Sequence, residues 1–111
     1  MTSETPLEIS VQQLNEMLNA GESLTILDVR EPQELAICKL ENSLDIPMQS
    51  IPDNLDRLRD AELLVVVCHS GMRSWQVTQW LRQQGFAQAQ SMAGGIDVWS
   101  QEVDDSKPRY S

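Results

Sequence analysis

A cysteine ends the most apolar run of the chain and opens a short loop with the residue types of a nucleophile site. Residues 63–67 read Leu-Leu-Val-Val-Val, and Cys68 follows directly. The unbroken run predicts a strand buried on both faces, as in a parallel sheet covered by helices. Ligands bind at the carboxyl ends of such strands, where Cys68 stands. Gly71 permits a sharp turn, and a helix predicted from Ser74 would point its free N–H groups at the loop.

This arrangement predicts attack by a thiolate. A free cysteine thiol has a pKa of about 8.5, so only a few per cent is ionised at neutral pH. A helix end alone favours the anion by only about 0.3–1 kcal/mol, so several backbone N–H groups and the charge of Arg73 would have to act together. Buried cysteines that end core strands are commonly inert. The glycine, the arginine and the helix start after Cys68 favour the functional interpretation.

Strands and helices alternate along the remaining sequence, which predicts an α/β class with a mostly parallel sheet. A Ser-x-x-Gln capping box at residues 10–13 opens the first helix, and Gly21 ends it. Strands are predicted at 7–9, 24–28, 43–46, 63–67 and 89–92, and further helices at 31–35, 52–58, 74–84 and after residues 94–95. The 111 residues fit one domain, 1–111, with peripheral tails at 1–6 and 104–111.

Composition excludes several function classes. Eight basic and 17 acidic residues give a formal net charge of −9, which argues against binding nucleic acid or an anionic membrane. The longest apolar run, residues 63–68, is far short of the roughly 20 residues that cross a bilayer. The first residues lack a secretory pattern, so we expect a cytoplasmic protein with two free thiols. One histidine and two cysteines do not suggest a usual zinc site.

Three motifs together resemble those of rhodanese-like domains. Residues 26–32, Ile-Leu-Asp-Val-Arg-Glu-Pro, resemble the opening signature of that family. Residues 68–74, Cys-x-x-Gly-x-Arg-Ser, resemble its active-site loop, and residues 92–99, Met-Ala-Gly-Gly-Ile-x-x-Trp, resemble its closing signature. The resemblance spans residues 7–103 and implies a five-stranded parallel sheet between two helix layers. Residues 38–43 depart from the family's Gly-His-Ile-x-Gly-Ala pattern, so the local turn there is expected to differ.

The resemblance implies sulfur transfer. Cys68 would attack the outer sulfur of thiosulfate or of a protein persulfide and become a persulfide itself. A protein thiol, a small thiol or cyanide would then collect the sulfur, and no metal or organic cofactor is implied. The tail from residue 99 to 110 resembles the end of rhodanese-like domains fused to adenylyltransferases that feed sulfur-carrier proteins. The loop whose N–H groups would hold the sulfur comprises His69, Ser70, Gly71, Met72 and Arg73.

Two other functions remain open at this point. The first is an interaction module that has the fold without catalysis, which the presence of Cys68, Gly71 and Arg73 disfavours. The second is a phosphatase or arsenate reductase. The related phosphatase loop resembles Cys-x5-Arg, whereas four residues separate Cys68 from Arg73 here. A tighter loop suits one sulfur atom better than a tetrahedral phosphate, and no general acid is evident for a leaving group.

Two charged residues that follow the second strand are predicted to support the site. Asp28 is expected to accept N–H bonds from the loop. Arg30 would add positive potential for an anionic donor or form a surface ion pair with Glu31 or Glu34. Both residues belong to the same sheet edge as Cys68 because they end a neighbouring parallel strand.

Each polar residue in and after the loop has a structural alternative. Arg73 either closes the loop by binding its carbonyls or binds the donor, and its five donors favour the first role. His69 either tunes the thiolate and shuttles a proton or points into solvent. Ser70 offers a hydroxyl to the sulfur or solvates a turn. Ser74 is expected to support the loop at the start of the helix.

The second cysteine is not expected to act at the site, and the tail is expected to be peripheral. Cys38 follows a helix that runs back from the catalytic edge, so it is predicted to lie at the amino ends of the strands, too far from Cys68 for a disulfide. The tail at residues 104–111 is polar and is predicted to drape over the surface. Of the tryptophans, Trp75 is placed to line the pocket, whereas Trp80 and Trp99 are predicted to be core residues.

Overall fold

A five-stranded sheet with helices on both faces organises the chain. The computed structural model describes residues 6–110, and the expectations for residues 1–5 and 111 lie outside this range. Every neighbouring pair of strands is parallel, in the order β1-β5-β4-β2-β3. This arrangement confirms the predicted α/β class. The strands are β1 Glu8–Ile9, β2 Thr25–Asp28, β3 Leu44–Asp45, β4 Leu64–Val67 and β5 Ala89–Met92.

The helices follow the predicted alternation, with one difference of type. The segment predicted as a helix over 52–58 is a 3-10 helix that starts at Met48, and Asn54 interrupts it with φ −125° and ψ 17°. Within residues 6–110, no helix combines the length and apolar character needed to cross a membrane. The helical elements are α1 Val11–Asn19, α2 Pro32–Leu35, the 3-10 segment Met48–Leu58, α3 Met72–Gln83 and α4 Gly95–Glu102.

The predicted signals at both ends of α1 are confirmed. The Ser10 hydroxyl accepts the N–H of Gln13, and the Gln13 side chain accepts the N–H of Ser10, each at 3.0 Å. This capping box satisfies donors that the first turn of a helix leaves free. Gly21 follows the helix with φ +72°, a conformation that glycine adopts without cost.

Strand β4 lacks polar residues because helices cover both of its faces. Leu64 and Val66 pack into one core with side chains of α3 and the 3-10 segment. Val65 and Val67 pack into a second core with side chains of α1 and α4. Successive strand residues point to opposite faces, so a fully apolar strand is the expected result of burial on both sides. All four residues of β4 are fully buried.

The start of α4 packs against the loop that follows β4. The Ile96 N–H donates to the Cys68 carbonyl at 2.8 Å, and the Asp97 N–H donates to the His69 carbonyl at 3.0 Å. Gly95 makes this approach possible. Its φ is +64°, and a Cβ there would lie 2.4 Å from the His69 carbonyl oxygen and 2.5 Å from that of Cys68. The closing motif of the sequence therefore supports the backbone of the cysteine loop.

The close approach at Gly95 predicts a large cost for the Gly95→Ala variant. Its methyl group would combine a strained positive φ with a clash against backbone, for a loss of about 2–5 kcal/mol in unfolding free energy. Gly21→Ala is the matched control, because Gly21 also has a positive φ but has nothing within 4 Å of the added Cβ. That control should lose only about 1–2 kcal/mol. Urea unfolding measures both, and equal losses would contradict the packing argument.

Candidate functional site

The sulfur of Cys68 lies at the carboxyl end of β4, among backbone N–H donors. Its Sγ accepts the Gly71 N–H at 3.1 Å and the Ser74 N–H at 3.3 Å. The second donor is available because α3 begins at Met72, two residues earlier than predicted, and the first-turn N–H groups of a helix lack partners within the helix. Only 1% of Cys68 is exposed. The sulfur is thus enclosed, but with donors aimed at it.

Ser74 contributes a hydroxyl as well as an amide to the surroundings of the sulfur. Its Oγ lies 3.4 Å from the Cys68 Sγ, 3.2 Å from the Gly71 carbonyl oxygen and 2.7 Å from the Ser91 Oγ. A hydroxyl carries one proton and can rotate. Ser74 can therefore accept from the Cys68 thiol while it donates to Gly71, and it can turn its proton toward the sulfur once the thiolate forms.

The ring of donors is smaller than the sequence predicted. Of the N–H groups in residues 69–73, that of Gly71 donates to the sulfur in the described structure, and the second donor comes from Ser74 beyond the predicted span. The reason is local geometry. Gly71 adopts φ +101° as it leads into α3, which turns its N–H and the first turn of the helix toward the same point.

Arg73 is held by a carboxylate outside the loop. Its Nη1 and Nη2 donate to the two carboxylate oxygens of Glu34 at 2.7 and 2.8 Å. The predicted bonds to loop carbonyls are therefore wrong, since a bidentate carboxylate is the stronger partner. The hydrogen bonds from Arg73, against the opposing effect of burial, lower the pKa of Glu34 to about 2. The positive charge of Arg73, which lies beside the loop, is therefore balanced by the Glu34 carboxylate.

Arg30 is buried rather than exposed. Its guanidinium binds Asp28 through Nε at 2.9 Å and Nη2 at 2.8 Å, and both side chains are fully buried. The predicted surface pair with Glu31 or Glu34 is wrong. Asp28 accepts the N–H of Arg30 at 3.1 Å but none from the cysteine loop in the described structure. The short connection from β2 to α2 folds the side chain back over the strand end, so the pair supports the framework instead of facing a donor.

Tyr110 also belongs to this region, although its residue pattern did not predict a role at the site. Its hydroxyl accepts from Arg30 Nη1 at 3.0 Å and donates to Glu34 Oε2 at 2.7 Å. Burial raises the pKa of this phenol to about 12, and the Glu34 carboxylate adds to the effect while Arg30 opposes it. The tail lies on the surface as predicted, but Tyr110 in it also makes specific contacts with the site region. The sequence offered two signals there, an aromatic side chain in an otherwise polar segment and the resemblance of residues 99–110 to the end of related domains.

His69 packs flat against Tyr110. The ring centroids are 4.1 Å apart, with an angle of 17° between the planes. The imidazole therefore does not simply point into solvent, because one of its faces is covered. Its role in proton transfer stays a prediction. The stack ties the start of the cysteine loop to the segment at residues 104–110.

Cys38 lies at the opposite end of the strands from the one predicted. Its carbonyl accepts from Arg30 Nη2 at 2.7 Å, which places it at the carboxyl end of β2. The chain returns there because α2 spans only Pro32–Leu35, about one turn, too short to run back along the sheet. Both cysteines are free thiols. Within residues 6–110, no three side chains of His, Cys, Asp or Glu are grouped to hold a metal ion.

An open depression of about 400 Å³ adjoins the other side of the cysteine loop. Met72 and Trp75, on the first turn of α3, contribute its apolar surface, with 73% and 37% of each residue exposed. Trp75 therefore lines a pocket, as predicted, whereas Trp99 is buried and Trp80 packs against the core. The lining residues are Glu8, Ser70, Gly71, Met72, Trp75, Gln76 and Gly94.

The buried ion pair predicts a large loss of stability in the Asp28→Asn variant. An uncompensated Arg30 charge in the interior should cost about 3–5 kcal/mol of unfolding free energy. The matched control is Asp56→Asn, since Asp56 is 95% exposed and pairs with Arg59 at the surface. That change should cost less than about 1 kcal/mol. Urea unfolding of both variants measures the difference, and a similar small loss in each would contradict it.

The lowered pKa of Glu34 predicts an acid-dependent contribution to stability. Its pKa falls from 4.5 to about 2 on folding, so the carboxylate stabilises the fold fully above pH 4.5 and loses this contribution as the pH falls toward 2. The Glu34→Gln variant lacks the titration. The gap in unfolding free energy between wild type and variant should shrink across this window, and a constant gap would contradict the prediction.

Known proteins share both the sequence motifs and the fold. The sequence model of the rhodanese-like domain matches residues 10–102. A sulfurtransferase from Allochromatium vinosum is 32% identical over 93 residues, which cover 84% of this chain and 87% of that protein. A putative sulfurtransferase from Bacillus subtilis is 36% identical over 96 residues, 86% of this chain and 92% of that one.

A solved structure agrees with these matches. The rhodanese-like domain protein from Staphylococcus aureus superposes with a TM-score of 0.81 at 31% identity, over 96% of this chain and 100% of that chain. The matched residues contain the cysteine loop and the segments that surround it. The protein belongs to the rhodanese-like domain family.

Proposed function

We propose that the protein is a sulfurtransferase in which Cys68 accepts a sulfur atom and carries it as a persulfide. The observation that supports this most is the convergence of the Gly71 and Ser74 N–H groups on the Cys68 Sγ, at 3.1 and 3.3 Å. Family membership and relatives named sulfurtransferases support sulfur transfer as the class of reaction.

The first step is attack by the Cys68 thiolate on the outer sulfur of the donor. With thiosulfate, a bond forms between Sγ and the sulfane sulfur while the S–S bond of thiosulfate breaks, and sulfite leaves with the electron pair. With a persulfide donor, a thiolate leaves instead. The product is a Cys68 persulfide anion, so no other oxidant or reductant is needed. A thiophilic acceptor then attacks the outer sulfur, and the Cys68 thiolate is the leaving group.

The site is suited to a small, polarisable anion. Backbone N–H groups and the amino end of α3 stabilise negative charge. The nearby guanidinium of Arg73 is paired with Glu34 and is therefore not a free cation. The Ser74 Oγ lies 3.4 Å from the Sγ, and its hydroxyl would donate to either sulfur anion once it rotates away from the Gly71 carbonyl.

The charge distribution favours a small-molecule or protein persulfide over a free dianion such as thiosulfate as donor. Arg30 and Arg73 are each paired with a carboxylate, and the chain has a formal net charge of −9. Thiosulfate therefore meets little attractive potential, and steering of an anion would be weak. The depression beside Met72 and Trp75 offers an apolar approach for the donor and for a protein or small-thiol acceptor.

The same pairing disfavours phosphate or arsenate chemistry. Glu34 occupies the two Nη donors of Arg73 that a phosphate would need. The non-catalytic interaction module has one observation in its favour, which is the 1% exposure of Cys68. The sulfurtransferase and the interaction module differ in whether the Cys68 sulfur becomes accessible in solution. A mass measurement after exposure to a sulfur donor distinguishes these two functions.

The proposed persulfide predicts a defined mass change. Wild-type protein incubated with thiosulfate, or with a small-molecule persulfide, should gain one sulfur atom, and cyanide should remove it as thiocyanate. Cys68→Ser should gain none. Cys38→Ser is the matched control and should take up sulfur as the wild type does. The Cys38 thiol is hydrogen-bonded to the Pro108 carbonyl and does not face the N–H donors of the loop. Intact-mass spectrometry before and after cyanide measures each step.

Two results would overturn the proposal. A folded wild-type protein that gains no sulfur from either donor would indicate the interaction module. Release of phosphate from an aryl phosphate, lost in Cys68→Ser, would indicate a phosphatase instead.

A further inference from the structure

One tyrosine holds both ends of the cysteine loop. At the start of the loop, the Tyr110 ring stacks on His69 with centroids 4.1 Å apart. At its end, the Tyr110 hydroxyl donates to Glu34 Oε2 at 2.7 Å, and the same carboxylate binds both Nη atoms of Arg73. His69 and Arg73 lie on either side of Gly71, the first N–H donor to the sulfur, and Arg73 directly precedes Ser74, the second.

Tyr110 is itself fixed to the framework. Arg30 Nη1 donates to its hydroxyl at 3.0 Å, and Arg30 is anchored by the buried pair at the end of β2. The two residues before it are also held, since Arg109 binds Asp97 of α4 at 2.8 Å and the Pro108 carbonyl accepts from Cys38 Sγ at 3.3 Å. Three consecutive residues thus contact three different parts of the fold.

We propose that Tyr110 is a positioning residue for the sulfur site, one that sets the geometry of the cysteine loop through His69 and through the Glu34–Arg73 pair. The inference rests on the proposed function in that the loop is taken as the site that holds sulfur. Tyr110 acts through other residues and is not assigned a chemical step.

The distances at the sulfur explain why positioning matters. The two N–H donors lie at 3.1 and 3.3 Å from the Sγ, so a small shift of the loop would remove them. A reagent also cannot reach a side chain that is 1% exposed unless the loop moves. Loosening the loop should therefore increase access to the sulfur and weaken its hold on an added sulfur atom.

Two substitutions separate the contributions of the ring and the hydroxyl. Tyr110→Phe keeps the stack on His69 but loses both hydrogen bonds, and Tyr110→Ala loses both contacts. In a Cys38→Ser background, where Cys68 is the only thiol, alkylation by iodoacetamide at fixed pH should accelerate about five- to thirtyfold in the Ala variant. The Phe variant should fall between that rate and the wild-type rate.

A distant destabilising variant controls for general loss of stability. Gly21→Ala acts at the end of α1 and is expected to lower stability without contact with the loop. It should leave the alkylation rate unchanged under native conditions. A wild-type rate in both Tyr110 variants would overturn the proposal, as would equal acceleration in Gly21→Ala. If the Ala variant does not fold, a wild-type rate in the Phe variant alone would overturn it.

A spectroscopic measurement tests the hydroxyl contacts directly. The chain has one tyrosine, so the ultraviolet titration of the phenolate reports Tyr110 alone. The phenol should ionise near its raised pKa of about 12 in the native protein. Glu34→Gln should lower this value, because the carboxylate opposes the phenolate, and an unchanged titration would overturn the assignment. The charged and titratable groups that face Tyr110 are Arg30, Glu34, His69 and Arg73.

The two proposals fail in different ways. A wild-type protein that takes up no sulfur contradicts the proposed function, while the alkylation rates and the tyrosine titration still report whether Tyr110 positions the loop. Normal sulfur uptake together with unchanged alkylation and titration in the variants would overturn the positioning role alone.

Discussion

The buried guanidinium of Arg30 constrains the whole carboxyl end of the sheet. A charge removed from water is costly unless it is paired and hydrogen-bonded. Here Asp28 forms the ion pair, while the Cys38 carbonyl accepts from Nη2 and the Tyr110 hydroxyl accepts from Nη1. Burial acts to lower the pKa of Arg30, but the hydrogen bonds to Asp28 and Tyr110 outweigh it and raise the pKa. The guanidinium stays charged, so each of its partners is held in place.

Contacts that begin at Arg30 link the end of β2 to the cysteine loop. Because Tyr110 must satisfy Arg30, its ring is brought over His69 and its proton is directed to Glu34. Glu34 in turn fixes Arg73 at the other end of the loop. The loop that surrounds the sulfur is therefore supported by a chain of polar contacts that begins in the interior. Satisfied networks of this kind rigidify the residues that form them.

The sulfur itself is surrounded by dipoles rather than by free cations. Both arginines of the region are paired with carboxylates, and the groups that donate to Cys68 Sγ are the Gly71 and Ser74 amides. Such surroundings suit a thiolate or a persulfide, whose single charge is spread over large atoms. They suit a phosphate dianion less well, since it needs several strong donors together with positive charge. The formal net charge of −9 also disfavours a phosphate dianion as ligand, because the two would repel each other.

Local features of the sequence were sufficient to predict most of the fold. The capping box at Ser10, the glycine after α1 and the apolar run that became β4 act through neighbouring residues, and each was confirmed. The alternation of strands and helices correctly predicted a parallel sheet. Burial of a strand on both faces requires an apolar sequence, and this is visible in residues 63–67. The 3-10 character of Met48–Leu58 was missed, since it depends on packing against the sheet.

What the sequence determined by itself was the position of a cysteine at a strand end, ahead of a glycine turn and a helix start. The partners of the charged residues were decided only in three dimensions. Glu34 and Arg73 are 39 residues apart, and Arg30 and Tyr110 are 80 apart. No local pattern distinguishes such pairs from surface charges, because burial and geometry choose among many carboxylates and only the folded chain brings one of them within hydrogen-bonding distance.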